Sequence, residues 1–218
     1  MDKIRSVSVR QMRLIDKTAV SDGIPIELMM ENAGHAISSA LSNEFGTLHE
    51  KKILCIAGRG NNGGGVIASI RHLIYYGAKV TLFLMFPKNQ LSRSSKFHLS
   101  LLSHTKCEII SSTPLNRKRF FSRIQNADII IDGIFGTGFH GKMNNFITST
   151  IQSINESSAY VLSNDVPSGM NADTGHVDGV SVDANFIVVL HRPKKWMRKV
   201  NLPQSKYSIE SIGIPSKF

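Results

Sequence analysis

The chain has few of the residues that disulfide frameworks, zinc sites and membrane spans require. Two cysteines occur among 218 residues, too few for a disulfide framework or a cysteine-based zinc site. No run approaches the roughly 18 consecutive apolar residues of a membrane helix, and the start from Met1 to Ser6 lacks the apolar core of a secretory signal. We therefore expect a cytoplasmic protein with no membrane association, in which Cys55 and Cys107 are structural and Cys55 is a buried reduced thiol.

Acidic residues are also scarce relative to basic ones. There are 26 Lys and Arg against 16 Asp and Glu, a formal net charge of +10. The basic residues concentrate in two stretches, 88–123 and 192–206, and the second contains no acid. Such surfaces attract phosphates and nucleic acids, but no aromatic interleaving or RNA-binding signature accompanies them. We interpret both stretches as a solvated basic face and do not expect nucleic acid as a partner.

The length and the periodicity predict one domain with two parts. A chain of 218 residues with 41% hydrophobic content suits a single soluble domain. An amphipathic stretch at 8–16 and a longer segment from Pro25 to about Phe45 predict two helices. We expect residues 1–218 to form one unit, with N-terminal helices in 1–50 and an α/β core in 51–218.

From residue 51 onward, short apolar runs alternate with segments of helical length. Near-continuous apolar strands separated by helices are typical of a parallel sheet with helices on both faces. A short final strand at about 207–212 extends one edge. The predicted strands are 53–57, 80–86, 108–110, 129–135, 159–162 and 185–190, and the predicted helices are 64–76, 92–103, 115–125 and 145–154.

Three glycine-rich turns follow apolar runs, at residues 58–65, 132–141 and 165–169, and each carries a carboxylate or a carboxamide. Glycine lets the main chain approach a ligand closely. Because the carboxyl ends of parallel strands meet at one edge of the sheet, the three turns predict a single crevice walled by backbone N–H groups.

Two common nucleotide-binding classes do not fit these turns. Residues 58–63 match G-x-G-x-x-G, but no Asp or Glu occurs from Gly58 to Cys107 to bind a ribose. This disfavours an ordinary NAD-dependent dehydrogenase and leaves a phosphate or nucleotide at the loop open. Residues 136–142 nearly match a Walker loop, but Met143 stands where Ser or Thr should hold magnesium. In the third turn, the side chain of Asp165 suits two roles equally well: an acid or base in catalysis, or a group that caps the turn.

Taken together, the turns resemble the YjeF N-terminal family, the NAD(P)H-hydrate epimerases. The resemblance covers nearly the whole chain, and the ordered set of segments is far more specific than any one of them. The matching segments are Q-M-R-L-I-D at 11–16, M-E-N-A-G at 30–34, G-N-N-G-G at 60–64 with R-H-L at 71–73, D-G-I-F-G-T-G-F-H-G at 132–141, D-V-P-S-G at 165–169 followed by D-T-G at 173–175, and I-G-I-P at 212–215.

The resemblance implies a Rossmann-like α/β three-layer sandwich, with a mostly parallel sheet and an extra N-terminal helical layer. It implies an enzyme that interconverts the R and S epimers of hydrated NADH and NADPH, which carry a hydroxyl on C6 of the nicotinamide ring. It also implies a homodimer and a dehydratase that repairs the S form, expected here as a separate protein.

The resemblance also implies roles for particular residues. Asn62, Asp132 and Ser168 match the ligands of a potassium ion, and their oxygen atoms suit a hard cation. Asp165 matches the acidic residue that contacts the hydrated ring, and we expect it to be catalytic. The residues that match substrate-binding stretches are Asn61, Asn62, Gly63, Gly64, Gly65, Gly136, Thr137, Gly138, Phe139, His140, Gly141 and Lys142, together with Asp165.

The expected mechanism starts from the position of the C6 hydroxyl next to a ring nitrogen. Cleavage of the C–O bond leaves a resonance-stabilised cation. Asp165 could protonate the leaving hydroxyl and its carboxylate could then stabilise the cation; ring opening and reclosure is the alternative.

The chain departs from the family pattern at two places. Gly65 and Val66 replace the Asp-Gly that usually follows N-N-G-G, and Trp196 replaces a glycine often found after P-K-x. These departures keep open a second interpretation: a catalytically diverged nucleotide- or metabolite-binding protein, or an RNA-associated scaffold, of the same fold.

Overall fold

Seven parallel strands form one sheet in the computed structural model, which describes residues 5–139, 141–200 and 206–215. The strands are β1 (Lys52–Ala57), β2 (Lys79–Leu84), β3 (Glu108–Ser111), β4 (Ile129–Gly133), β5 (Tyr160–Asn164), β6 (Phe186–Leu190) and β7 (Lys206–Glu210). Their order across the sheet is β3-β2-β1-β4-β5-β6-β7, so the sheet starts in the middle and the direction of winding reverses between β1 and β4.

The helices begin where the sequence supplies a cap or a break. Ser8 and Gln11 form a capping box at the start of the helix that begins at Val9. Pro25 precedes the helix that begins at Ile26, and the Asn144 side chain caps the helix that follows it directly. The six α-helices of the described ranges are α1 (Val9–Ser21), α2 (Ile26–Phe45), α3 (Asn61–Tyr75), α4 (Arg93–Ser100), α5 (Arg117–Gln125) and α6 (Asn145–Asn155).

The two faces of the sheet build two separate cores because successive side chains of a strand point to opposite faces. In β1, Ile53 and Cys55 pack with α2 and α3, whereas Leu54 and Ile56 pack with α5 and α6. Cys55 is fully buried and free, as its apolar run predicts. A sheet covered on both faces explains why its strands read as continuous apolar runs.

The N-terminal helices add a third layer. Helix α2 packs closely on α3, because a Cβ on Gly34 would lie only 2.6 Å from the Ser69 nitrogen. A third core joins α1 and α2 to the C-terminal segment, with Met12, Met29 and Ile214 among its buried members.

The fold class is confirmed: a parallel α/β sheet with helices on both faces and an extra N-terminal helical layer.

Some of the predicted strand and helix boundaries are wrong. β4 ends at Gly133 rather than at Phe135, because Ile134 N–H turns back to the Asp132 carboxylate. Helix α3 begins at Asn61, three residues earlier than predicted, since its glycines pack tightly instead of forming an open loop. No helix in the described part of the chain is long and apolar enough to cross a membrane.

Candidate active site

One cavity of about 690 Å³ opens at the carboxyl edge of the sheet. The three glycine-rich turns follow β1, β4 and β5, which are neighbours in the sheet, so they meet there as the sequence predicts. The cavity lies beside the reversal of strand order between β1 and β4, where open α/β sheets bind ligands. Its size falls within the range of small-molecule sites, roughly 300–1,000 Å³.

The predicted site residues divide into those that line this cavity and those that lie behind it. His140 lies outside the described residues. Gly141 is exposed and away from the lining. Buried behind the lining are Gly63, Gly64, Gly65, Asp132 and Ser168. The lining contains Asn61, Asn62, Gly136, Thr137, Gly138, Phe139, Lys142 and Asp165.

Glycines allow the first and second turns to touch. A Cβ on Gly63 would overlap the Gly58 carbonyl, and a Cβ on Gly58 would overlap the carbonyl of Ile134 in the second turn. A Cβ on Gly136 would lie 2.9 Å from Asn62 Cγ. The position of Asn61 and Asn62 in the cavity wall therefore depends on backbone contact between the turns after β1 and β4.

A hydrogen-bond network joins the predicted cation ligands. Ser168 Oγ donates to Asp132 Oδ1 at 2.5 Å, and Ser168 N–H donates to Asp132 Oδ2 at 2.9 Å. Phe135 N–H donates to Ser168 Oγ at 2.9 Å, while Asn62 Nδ2 donates to the Phe135 carbonyl at 2.6 Å. Asn62 and Ser168 thus meet at the backbone of Phe135, and Asp132 joins them through Ser168.

Asp132 is a fully buried carboxylate among neutral donors. Besides Ser168, it accepts hydrogen bonds from Ile134 N–H at 3.1 Å and from Ser163 Oγ at 2.9 Å. Burial raises the pKa of Asp132, and the Ser168 hydrogen bonds oppose that rise. In the described part of the chain, no cationic side chain pairs with it. A buried anion with neutral partners is a favourable place for a bound cation.

Asp165 is held in an uncommon backbone conformation directly after β5. Its φ is +67°, in the left-handed region, and Val166 N–H closes a tight turn onto the Asn164 carbonyl at 2.9 Å. Its carboxylate Oδ1 accepts hydrogen bonds from Leu190 N–H at 3.1 Å and from Lys194 Nζ at 2.7 Å. Strained backbone that aims a charged side chain into a cavity is a feature of functional sites.

Lys194 is the partner that sequence reasoning missed. Its side chain is 1% exposed, and Nζ also donates to the carbonyls of Leu190 at 2.7 Å and Arg192 at 3.0 Å. The interpretation of stretch 192–206 as a solvated face is therefore wrong for Lys194. Nothing in a run of basic residues distinguishes the one that folds inward, because its acceptors come from the ends of β5 and β6.

Helix α1 supplies a wall of the cavity through Met12, Arg13 and Asp16, which share one helix face. Its start is fixed next to Lys194: Val7 N–H donates to the Pro193 carbonyl at 2.8 Å, and Val7 and Lys194 form a parallel bridge. Asp16 falls in the predicted opening helix, and the sequence alone suggests no role for it.

The departures from the family pattern lie in the packing beneath the site. Val66 is fully buried and occupies the space beside Gly133. Gly65 faces Ala33 and Asn164, where a Cβ would find neighbours at 3.1–3.2 Å. Trp196 is 2% exposed in the core. None of the three lines the cavity.

Comparisons with known proteins agree with this architecture. The profile of the family described as YjeF-related protein N-terminus matches residues 26–196. The chain is 33% identical to the NAD(P)H-hydrate epimerase of Nitrosopumilus maritimus, covering 96% of this chain and 95% of that protein. It is 30% identical to the bifunctional NAD(P)H-hydrate repair enzyme Nnr of Archaeoglobus fulgidus, but spans only 42% of that protein. The crystal structure of the yeast protein ynu0 superposes with a TM-score of 0.83 at 24% identity, over 94% of this chain and 88% of that one.

Proposed function

This chain belongs to the family of YjeF-related protein N-termini, and from that premise we propose how its cavity performs the epimerase reaction on hydrated NADH and NADPH. The activity is that of an NAD(P)H-hydrate epimerase, in nicotinamide-cofactor repair, with hydrated NAD(P)H as the substrate. The observation that supports our assignment of the site is that Asp165 and Asn62 line one cavity, with Asp132 and Ser168 linked to Asn62 through Phe135 directly behind its wall.

The substrate-binding residues are the predicted ones that line the cavity. Asn61 and Asn62 open α3, whose free N–H groups and positive dipole end suit a substrate phosphate. Arg13, Arg59 and Lys142 add positive charge to the same lining. The buried glycines 63–65 act indirectly, since they set the path of the first turn. Stacked Phe135 and Phe139, with ring centroids 4.0 Å apart, offer an apolar wall for a ring.

The role of Asp165 is electrostatic. Loss of the C6 hydroxyl gives a cation in which the ring nitrogen shares the charge. Lys194 Nζ lies 2.7 Å from Asp165 Oδ1, so the two side chains form a buried ion pair. Within the described residues no donor occupies Asp165 Oδ2, so that oxygen is available to the cation. The ion pair therefore favours Asp165 as the stabiliser of the cation over Asp165 as the proton donor.

The test of this function is conversion of purified R epimer of hydrated NADH or NADPH to the S form. We expect wild-type protein to bring R and S to the same final ratio from either epimer, at a rate proportional to protein concentration. Failure to accelerate interconversion over the protein-free rate, in folded protein with potassium present, would overturn the proposed site.

A potassium ion held by Asn62, Asp132 and Ser168 is the second part of the proposal. The donor chemistry fits: the three side chains supply oxygens, and the buried Asp132 charge has only neutral partners among the described residues. A bound cation would offset that charge and tie the turn after β1 to those after β4 and β5, which fixes Asn62 in the cavity wall.

Potassium should stabilise the fold measurably. In potassium chloride we expect a higher Tm than in tetramethylammonium chloride of equal ionic strength, because a ligand that binds only the native state stabilises it. Asp132→Asn should abolish the difference, and the exposed control Asp22→Asn should keep it. Equal Tm values in the two salts for wild-type protein would refute the potassium site.

We also propose the protein's setting. A dehydratase activity would consume the S epimer. The protein would act in the cytoplasm, where free thiols such as Cys55 persist. It would form a homodimer, for which the exposed Leu14, Val20 and Leu28 on α1 and α2 provide apolar surface.

A further inference from the structure

A second carboxylate shares the cavity with Asp165. Asp16 lies on the face of α1 that lines the cavity, one helical turn from Met12. It is half-buried, and no described residue donates a hydrogen bond to its carboxylate. Unlike Asp165, it therefore faces the cavity without a fixed protein partner.

Burial of the Asp16 carboxylate favours its neutral form. The other charged groups of the cavity lining are Asp165 and four cations, Arg13, Arg59, Lys142 and Lys194. The pKa of Asp16 is raised from 3.8 to about 6, chiefly by burial and also by the charge of Asp165, while the charge of Lys194 lowers it. Two neighbouring carboxylates that differ in environment in this way are typical of an acid–base division of labour.

We propose that Asp16 is the proton donor of the epimerase reaction, acting on the C6 hydroxyl while Asp165 stabilises the cation. This rests on the proposed function. It names the group that protonates the leaving hydroxyl, a role that Asp165 does not fill while it is paired with Lys194. The assignment is based on the difference between the two side chains. Lys194 Nζ contacts the Asp165 carboxylate at 2.7 Å, whereas the Asp16 carboxylate is open to the cavity.

The step balances as follows. The Asp16 carboxyl proton goes to the C6 hydroxyl oxygen, the C6–O bond breaks, and its electron pair leaves with water. The ring nitrogen's lone pair forms a double bond to C6. Water then adds to the other face of C6, the double-bond pair returns to nitrogen, and the proton lost by the added water returns through cavity solvent to the Asp16 carboxylate. No oxidant or reductant is consumed.

The test is Asp16→Asn, with Asp22→Asn as the matched control in which an exposed Asp just after α1 changes in the same way. Asn keeps the size and polarity of Asp16 but removes the transferable proton. We expect kcat/KM to fall about 10²-fold at pH 6, within the usual range for a general acid, mostly in kcat. The control should match wild-type protein.

The pH profile separates a proton donor from a structural residue. Wild-type kcat/KM, corrected for the protein-free rate, should decline as pH rises above about 6 as Asp16 ionises. The profile of Asp16→Asn should lack that decline, so the gap between the two proteins narrows toward pH 8. A parallel loss at every pH would overturn the assignment, since a merely structural role would lower the rate uniformly.

A second readout does not depend on activity. The native pKa of Asp16 lies above its unfolded value, so the native state binds more protons between pH 4 and 6 and loses stability as pH rises through that window. Asp16→Asn lacks this loss, and its Tm relative to wild-type should rise from pH 4 to pH 7. A constant Tm difference would overturn the raised pKa.

The results of these experiments distinguish failure of the proposed epimerase function from failure of the role assigned to Asp16. Wild-type protein that does not interconvert the epimers overturns the proposed function and, with it, the role of Asp16. An active wild type with an equally active Asp16→Asn variant overturns only the role of Asp16. Loss in Asp16→Asn with a flattened profile supports both.

Discussion

Asp165→Asn is expected to lower kcat for epimerisation by about 10³-fold, because the variant keeps the shape of the site and loses the charge that faces the cation. Removal of one well-placed electrostatic stabiliser typically costs about 10²–10³ in rate. The deficit should appear in kcat more than in KM, since the carboxylate acts most strongly when positive charge develops. The measurement is the R-to-S conversion rate at saturating substrate.

Asparagine is the right replacement for Asp165 because it tolerates the left-handed backbone conformation at this position. Asp165 has φ +67°, a conformation that Asn adopts readily and Ala does not. Asp183→Asn, an exposed change in the connection between β5 and β6, is the control and should keep wild-type activity. An Asp165→Asn enzyme that is folded and retains more than about a tenth of the wild-type kcat would contradict the electrostatic role.

Lys194→Met should have the largest effect on stability. It leaves the Asp165 carboxylate buried without its cation and the Leu190 and Arg192 carbonyls without their donor. Removing one member of a buried ion pair typically costs about 3–5 kcal/mol of unfolding free energy. Urea unfolding, monitored by circular dichroism, measures the change.

The double variant Asp165→Asn/Lys194→Met shows whether the instability of Lys194→Met comes from the unpaired Asp165 carboxylate. With both charges gone, the unpaired buried carboxylate disappears, and we expect the double variant to be more stable than Lys194→Met alone. The double-mutant cycle, built from wild-type protein, the two single variants and the double variant, should give a coupling energy of about 1–3 kcal/mol. Its activity should stay as low as that of Asp165→Asn. Strictly additive losses of stability would show that the two side chains do not act as a pair.

The sequence predicted the sheet and the meeting of the turns because both follow from local patterns. Apolar runs such as 53–57 and 129–135 reflect strands buried on both faces, and a turn after each strand falls at one edge by the geometry of a parallel sheet. Asn62, Asp132 and Ser168 are grouped by the family resemblance, and each of them occurs in one of the three turns.

The partners of the catalytic group could not be predicted in this way. Lys194 reaches Asp165 only because β5 and β6 lie side by side, and Asp16 reaches the cavity only because Val7 fixes α1 beside Lys194. Both contacts join segments that are distant in the chain, and their charges look like ordinary surface residues in the sequence. The burial of Gly63 behind the cavity likewise depends on its contact with Gly58.

The most direct test of the account follows the oxygen on C6. In a single turnover of wild-type protein with the R epimer in water labelled with oxygen-18, departure of the hydroxyl and addition of solvent water predict that the S product carries the label. An S product that keeps the original oxygen would show that the C–O bond never breaks. Ring opening would then replace the cation that Asp165 is proposed to stabilise.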